Sequence, residues 1–222
     1  GFLEVKKPNN EGGIQKEFHR MLDERLQIPE YKKYFNMLQF ITFSNNMEYE
    51  SDNDAAPAEE IRAGSFYSTP NGNRTFFSFF REENPKTTGF KEVSMDEVRY
   101  VLKDNGYSPS YADTEEFQTN LQPSQPCNRF VTSFFEISRM MYLLQYGFFY
   151  VDTIDEKTGQ PVTQKHIMRY PQFFASKAIL KRIDSGGKSG IIFHTQNYRL
   201  SPREFCVITT RQKVLQRSST MW

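Results

Sequence analysis

The sequence predicts an α/β protein, because short β-rich runs alternate with amphipathic helical stretches along its 222 residues. Three observations carry that expectation. Phe2-Leu3-Glu4-Val5 reads as a buried strand, stopped by Pro8, Asn9 and Asn10. Ser94-x-x-Glu97 is a capping box that opens a helix over Val98, Val101 and Leu102. Gly190 to His194 (GIIFH) is a continuous apolar run of the kind that fills the middle of a sheet.

The remaining elements follow in order. Gly12-Gly13 breaks the chain after the first strand, and Ile14 to Leu26 reads as a helix with Ile14, Phe18, Met21, Leu22 and Arg25 spaced along it. Met37 to Ser44 (MLQFITFS) reads as a second strand, ended by Asn45-Asn46. Glu48 to Glu60, rich in Asp, Glu, Ala and Pro, reads as a solvated loop. Gly64 to Ser68 and Thr75 to Phe80 are two strands joined by a turn at Pro70-Asn71-Gly72-Asn73. Gly106 closes the capped helix. Tyr107 to Pro126, polar and punctuated by Pro109, Pro123 and Pro126, reads as a linker. Asn128 to Tyr146 is one long apolar helix stopped by Gly147, followed by a short strand at Phe148 to Val151 and a turn at Asp155 to Gly159. Pro171 starts a helix that runs to about Ile183 and ends at Gly186-Gly187. Phe205 to Thr209 is a last strand, and the sequence has no internal repeat.

Composition bounds the function. Lys plus Arg number 28 against 27 Asp plus Glu, so no global basic field announces nucleic acid, and any DNA contact has to rest on a local patch. Aromatic residues make up 15%, 21 of them Phe, which favours a packed core over disorder. Cys127 and Cys206 belong to no CxxC or Cys/His pattern and read as reduced thiols of a cytoplasmic protein. The sequence has neither an apolar run of about eighteen residues nor a basic-then-apolar leader, which argues against membrane spanning and secretion.

Glu4 and Lys6 lie two apart on a strand and so share a face. A carboxylate beside an ammonium can hold a divalent metal and steady a hydroxide, the chemistry of phosphodiester hydrolysis. The same spacing also suits an ordinary edge-strand ion pair. Gln15 follows on the first helix and by itself is an exposed helix residue. Gly187-Lys188-Ser189 imitates a phosphate-binding loop, but the first glycine would fall at Arg182 and the segment precedes its strand, so it reads as a helix-ending turn. Gln172 opens a helix just before a buried strand, where a glutamine amide can read an adenine edge bidentately or simply face solvent. A phosphate loop would begin at His194-Thr195-Gln196, yet Asn197-Tyr198-Arg199-Leu200 contains no glycine. His19, His166 and His194 are too scattered to read as a metal site.

Taken together and in this order, the pieces resemble the R (restriction and translocation) subunit of type I restriction–modification enzymes. The matching stretches are FLEVKKPNN at 2–10, QFITFSNNMEY at 39–49, GSFYSTPNGNRTFFSFFREE at 64–83, RFVTSFFEISRMMYLLQYG at 129–147, KHIMRYPQFFASKAI at 165–179 and GIIFHTQ at 190–196. The resemblance implies a PD-(D/E)xK nuclease-like mixed sheet followed by the start of a RecA-like, superfamily-two parallel-sheet motor. It divides the chain into a nuclease-like domain at 1–106, a linker and connecting helix at 107–160, and the beginning of the motor at 161–222. It implies Mg²⁺-dependent cleavage of double-stranded DNA coupled to ATP-driven translocation, in complex with modification and specificity subunits.

By position, the resemblance makes Glu4 a metal ligand and lets Lys6 orient the attacking water. Gln15 would be the helical glutamine of the nuclease motif, although the tyrosine that motif carries four residues later is His19 here. Gln172 would contact adenine, with Arg169 and Tyr170 shaping its pocket. The family's nuclease aspartate belongs on a strand before residue 1, and its Walker A loop should follow Gln196; neither is in the sequence. Three readings therefore stay open: part of an active restriction subunit, a non-catalytic interaction or DNA-binding remnant, or a nuclease lobe whose missing carboxylate comes from Glu17 or another subunit. The 222 residues alone are expected to carry out no catalysis.

Overall fold

The first strand ends in a charged pair yet begins in phenylalanine, and the sheet around it explains how both are accommodated. The computed structural model describes residues 1–8, 14–49, 55–56, 63–70, 77–80, 93–155, 158–187, 189–193 and 205–209. They fall in two units, Gly1–Tyr170 and Pro171–Trp222. The first unit contains β1 (Phe2–Val5), β2 (Ile41–Ser44), β3 (Ala55–Ala56), β4 (Ser65–Ser68) and β5 (Phe77–Phe79) in one sheet, ordered β1-β2-β4-β5-β3. β1 pairs parallel with β2, and the other pairings are antiparallel. The α/β class and a mixed sheet are thus as the sequence predicts.

A parallel pair needs a crossover. Here it is α1 (Gln15–His19), a π-helical continuation over Arg20–Arg25, and α2 (Pro29–Met37). In the π-helical turn the Leu26 amide reaches back five residues to the Met21 carbonyl at 2.9 Å. The sequence reading places a strand from Met37; instead Met37 ends α2 and the strand starts at Ile41. Pro29 starts this unforeseen helix because its missing N–H falls where a helix has no acceptor for it.

β2 and β4 are buried at every position, which is why ITFS and SFYS do not alternate apolar with exposed polar. On one face, Phe18 lies flat on Phe77 (centroids 3.9 Å, planes 9° apart) and edge-on to Phe43 at 4.9 Å. Ile14, Met21, Leu26, Phe35, Ile41 and Phe66 complete that cluster. On the other face, Tyr67, Phe40 and Phe80 surround Phe134 of α5 (Pro126–Phe134) at 4.7, 5.6 and 5.4 Å. Each buried phenylalanine contributes about 1.5–3 kcal/mol. The small polar residues of the sheet satisfy one another, as in the 2.7 Å hydroxyl pair of Ser44 and Ser65, which are register partners.

The capping box forms in full: Ser94 Oγ accepts from the Glu97 amide and Glu97 accepts from the Ser94 amide, opening α3 (Met95–Asp104). Gly106, at φ +79°, ends it. The segment read as a linker is instead helical, with a 3-10 turn at Pro109–Asp113 and α4 at Glu115–Asn120. Pro109 and Pro126, read as breakers, each open a helical segment.

The long helix expected over 128–146 is two, α5 and α6 (Ile137–Tyr146). Glu136 caps the second by accepting from the Ser138 and Arg139 amides, while Arg139 donates to the Ser133 carbonyl at the end of the first. A longer hairpin follows than the sequence suggested, β6 (Phe148–Ile154) antiparallel to β7 (Pro161–Ile167). Tyr67 Oη donates to the Met168 carbonyl, Thr69 Oγ1 to the Lys165 carbonyl and Lys165 Nζ to the Leu38 carbonyl, tying the hairpin to the sheet.

The second unit holds α7 (Tyr170–Asp184), β8 (Ser189–Phe193) and β9 (Phe205–Thr209). Gly186, at φ +82°, donates to the Ile183 carbonyl, and Gly187 to that of Arg182. This paired cap is the helix-ending turn expected there, so Gly187-Lys188-Ser189 follows a helix rather than opening one. β8 and β9 pair antiparallel, whereas a RecA-like sheet would pair them parallel. The connection, 194–204, is shorter than the crossover of about a dozen or more residues that a parallel pair needs. The expected glycine break at 12–13, turn residues 71–73 and His194–Gln196 lie outside the described residues.

Candidate active site

Alternation along β1 sends Phe2, Glu4 and Lys6 to one side. Phe2 joins the core there, edge-on to Phe35 at 5.3 Å, so the two charged residues continue an apolar row toward the end of the strand. α1 crosses the same face and buries Glu17 beside Phe18. Lys6 Nζ lies 2.8 Å from Glu4 Oε1 and 3.3 Å from Glu17 Oε1. Arg25, at the end of the π-helical turn, reaches Glu4 Oε2 at 3.1 Å, and Arg20 reaches Glu17 Oε2 at 3.4 Å. The Arg25 guanidinium also sits 5.6 Å from the Phe2 ring centre. Two carboxylates and three cations thus form one network in which each carboxylate oxygen has a cationic neighbour.

Burial pushes the Glu4 carboxyl up, but hydrogen bonds and charge from Lys6 and Arg25 together outweigh it and hold it below its ordinary 4.5. The hydrogen bond to Glu4 raises Lys6 above its ordinary 10.5; burial works against this, and Glu17 adds to it. Both groups are therefore charged across the neutral range. π-Helical irregularities of the kind that carries Arg25 are frequent at functional sites.

Of the residues the sequence singled out, Glu4 and Lys6 meet here. Gln15 opens α1 and is half-buried, two residues before Glu17. His19, where the family's motif has tyrosine, lies 3.2 Å from Asp23 on an exposed face. Arg169 is exposed just before α7; Tyr170 and Gln172 are half-buried in its first turn, and the Tyr170 ring lies 6.5 Å from Phe80. Arg20 and Arg25 were not foreseen. The Glu17–Arg20 spacing of three is a helical pairing signal; nothing in the sequence joins Arg25 to Glu4.

Among the described residues, no group of three or more His, Cys, Asp or Glu side chains is placed to hold a metal ion. Glu4 and Glu17 nevertheless converge on one ammonium, and two carboxylates suit Mg²⁺, which keeps several waters and takes further oxygens from substrate phosphates. ATP fits less well: residues 194–204 after β8 contain no glycine to cradle phosphates. Cys127 is a half-buried free thiol, pushed up by burial against the lowering effect of the Ser44 hydroxyl. Among the described residues no helix is long and apolar enough to cross a membrane. No protein family, curated protein or solved structure compared with this chain matches it.

Proposed function

We propose that the first unit is the nuclease lobe of a type I restriction R subunit, whose whole protein cleaves double-stranded DNA with Mg²⁺ and translocates it with ATP. In such a protein the cutting activity belongs to the assembly with modification and specificity subunits. The observation that carries the reading is the Lys6 ammonium held between Glu4, two residues back on the same strand, and Glu17 of the following helix. Glu17 supplies the second carboxylate that a nuclease site of this kind requires.

Glu4 and Glu17 would hold Mg²⁺, which when bound supplies Lewis-acid stabilisation of charge on a phosphodiester and a more acidic bound water. Lys6, charged at neutral pH, orients a water through an ammonium donor and offsets negative charge as a phosphate approaches. Gln15, on the same short helix as Glu17, offers an amide to position the strand. Gln172, Arg169 and Tyr170 remain the candidates for an adenine contact, and no phosphate step is assigned to the second unit. DNA would be held mainly through phosphates, so binding should fall steeply with salt.

The test is plasmid cleavage by this chain assembled with modification and specificity subunits, in Mg²⁺ and ATP. Glu4→Gln and Lys6→Ala should each abolish cutting while assembly with the other subunits is kept. Cutting at wild-type rate by either variant refutes the assignment. A second reading, a remnant that binds DNA without cutting, is favoured by the cationic neighbour at every oxygen of Glu4 and Glu17. It predicts no cleavage by the assembled wild type.

A further inference from the structure

We propose that the C-terminal end of α3 is a docking surface for a basic, arginine-bearing amphipathic segment of a partner protein. The inference is independent of the nuclease reading, because it concerns a different part of the molecule. Its starting point is a helix with no core of its own. α3 is capped in full yet has no buried residue, and from Val93 to Leu121 only Ala112 is buried. A helix of this length is marginal in water unless one of its faces is packed. One side of α3 is held to the 3-10 turn by Arg99, which donates to Asp113 at 2.8 Å.

The side roughly opposite Arg99 stays open. Tyr100 and Asp104 are four residues apart there, as are Glu97 and Val101, and the two pairs interleave, so the four side chains share one face. Tyr100 is 71% and Val101 56% exposed. Beyond the Gly106 turn, the exposed Tyr107 stacks on Tyr111 with ring centres 6.3 Å apart, which adds further aromatic surface.

Asp104 decides what the face receives. The first-turn carboxylates Asp96 and Glu97 suit the positive end of the helix, and Glu97 completes the capping box. Asp104 instead occupies the last position of α3, where the helix dipole is negative and a carboxylate is unfavourable. Among the described residues no cation pairs with it; Arg99 is taken by Asp96 and Asp113. Neither helix propensity nor packing accounts for an acid there. A cation arriving from outside does, and it gains from the dipole as well.

From Val93 to Leu121 six carboxylates stand against two cations, in a chain whose net charge is +1. The field here is negative while the rest of the chain is positive, which repels a nucleic-acid phosphate and draws a basic segment. Exposed tyrosines beside a carboxylate fit a guanidinium better than an ammonium. The planar fork pairs with the carboxylate bidentately while its face lies on an aromatic ring. Val101 offers the contact for the segment's aliphatic residues, as in other helix-to-helix recognition.

The probe is a fluorescently labelled amphipathic peptide of about four helical turns, built from Arg, Leu and Ala, titrated with the full chain and read by anisotropy. Its Lys-for-Arg analogue should bind at least about fivefold more weakly, and its Glu-for-Arg analogue not at all. Asp104→Asn and Tyr100→Ala should each weaken the Arg peptide about tenfold. Both positions are exposed, so far-ultraviolet circular dichroism should be unchanged, and Asp104→Asn should leave the melting temperature equal or higher. Asp23→Asn, which removes an exposed carboxylate outside this face, should bind the peptide as wild type does.

No binding of the Arg peptide by wild type at up to about 1 mM overturns the proposal. So does wild-type affinity in either Asp104→Asn or Tyr100→Ala. Equal affinity for the Arg and Lys peptides overturns the guanidinium assignment. Self-association in sedimentation that Tyr100→Ala abolishes, without peptide binding, gives the face to a second copy of this chain and overturns the proposal too.

Discussion

Replacing Lys6 by methionine keeps most of the aliphatic stem and removes the one charge that Glu4 and Glu17 share. The two carboxylates are left unequally provided for. Glu4 retains Arg25 at 3.1 Å, whereas Glu17, with a side chain only 6% exposed, retains Arg20 at 3.4 Å on a half-exposed stem. Breaking a buried pair by removing one partner costs about 3–5 kcal/mol. The remaining arginine and the partial exposure of Lys6 (23%) reduce that, giving about 2–3 kcal/mol for Lys6→Met at pH 7. Adding Glu17→Gln removes the stranded charge, so the double variant should recover at least 1 kcal/mol relative to the sum of the two single changes, roughly the coupling expected of contacting residues. Urea unfolding followed by far-ultraviolet circular dichroism reads this directly. With a slope of about 2 kcal/mol per molar, Lys6→Met should shift the midpoint down by about 1–1.5 M. A shift below about 0.3 M, or single-variant losses that simply add, would refute the claim that Lys6 bridges a buried carboxylate.

The same pair sets a pH window. Glu4 is held below 4.5, so its contribution is present above that value and is lost as pH falls through the depressed one; Lys6 is raised above 10.5, so its contribution is present below 10.5 and is lost as pH rises through the raised one. Urea midpoints should therefore include this contribution in full from about pH 5 to pH 10, and Lys6→Met should remove the alkaline arm. Phe18→Ala, which strips the ring stacked on Phe77, should destabilise by about 3–5 kcal/mol in the same assay. Ser94→Ala, which breaks the capping box of α3, should cost only about 1 kcal/mol and leave metal binding unchanged.

The sequence made legible whatever depends on local periodicity or a local cap. The Ser94 box and the glycine-ended α7 have their causes within a few residues, and β1 is a strand as read but half-exposed rather than buried, with Leu3 and Val5 facing out. It misled where one residue type has two uses. Pro29, Pro109 and Pro126 all open helical segments; reading Pro109 and Pro126 as breakers turned 107–126 into a linker, and the sequence reading assigns no element to 29–36 and gives Met37 to the following strand. The break between α5 and α6 was invisible because both helices are apolar; only the Glu136 cap and the Arg139–Ser133 bond mark it. At the site, Glu4 and Lys6 were legible from a spacing of two. The role of Glu17 was one option among several, and Arg25 came only with the crossover that returns the chain over β1.

The location of the charges is itself informative. β2 and β4 are buried at every position. Among the described residues β1 lies at one edge of the sheet, and its inward row begins with Phe2 packed among Phe35 and Phe43. A leucine at position 4 or 6 would extend that row without needing partners. Instead the row carries a carboxylate and an ammonium, paired with Arg25 of the π-helical turn and Glu17 of α1, and Glu17 in turn with Arg20. Buried ion networks of this sort commonly add no stability over apolar residues of the same volume. Packing alone therefore gives no reason for these five residues to meet at the end of β1, whereas a site that must hold a cation and a phosphate needs both signs of charge together.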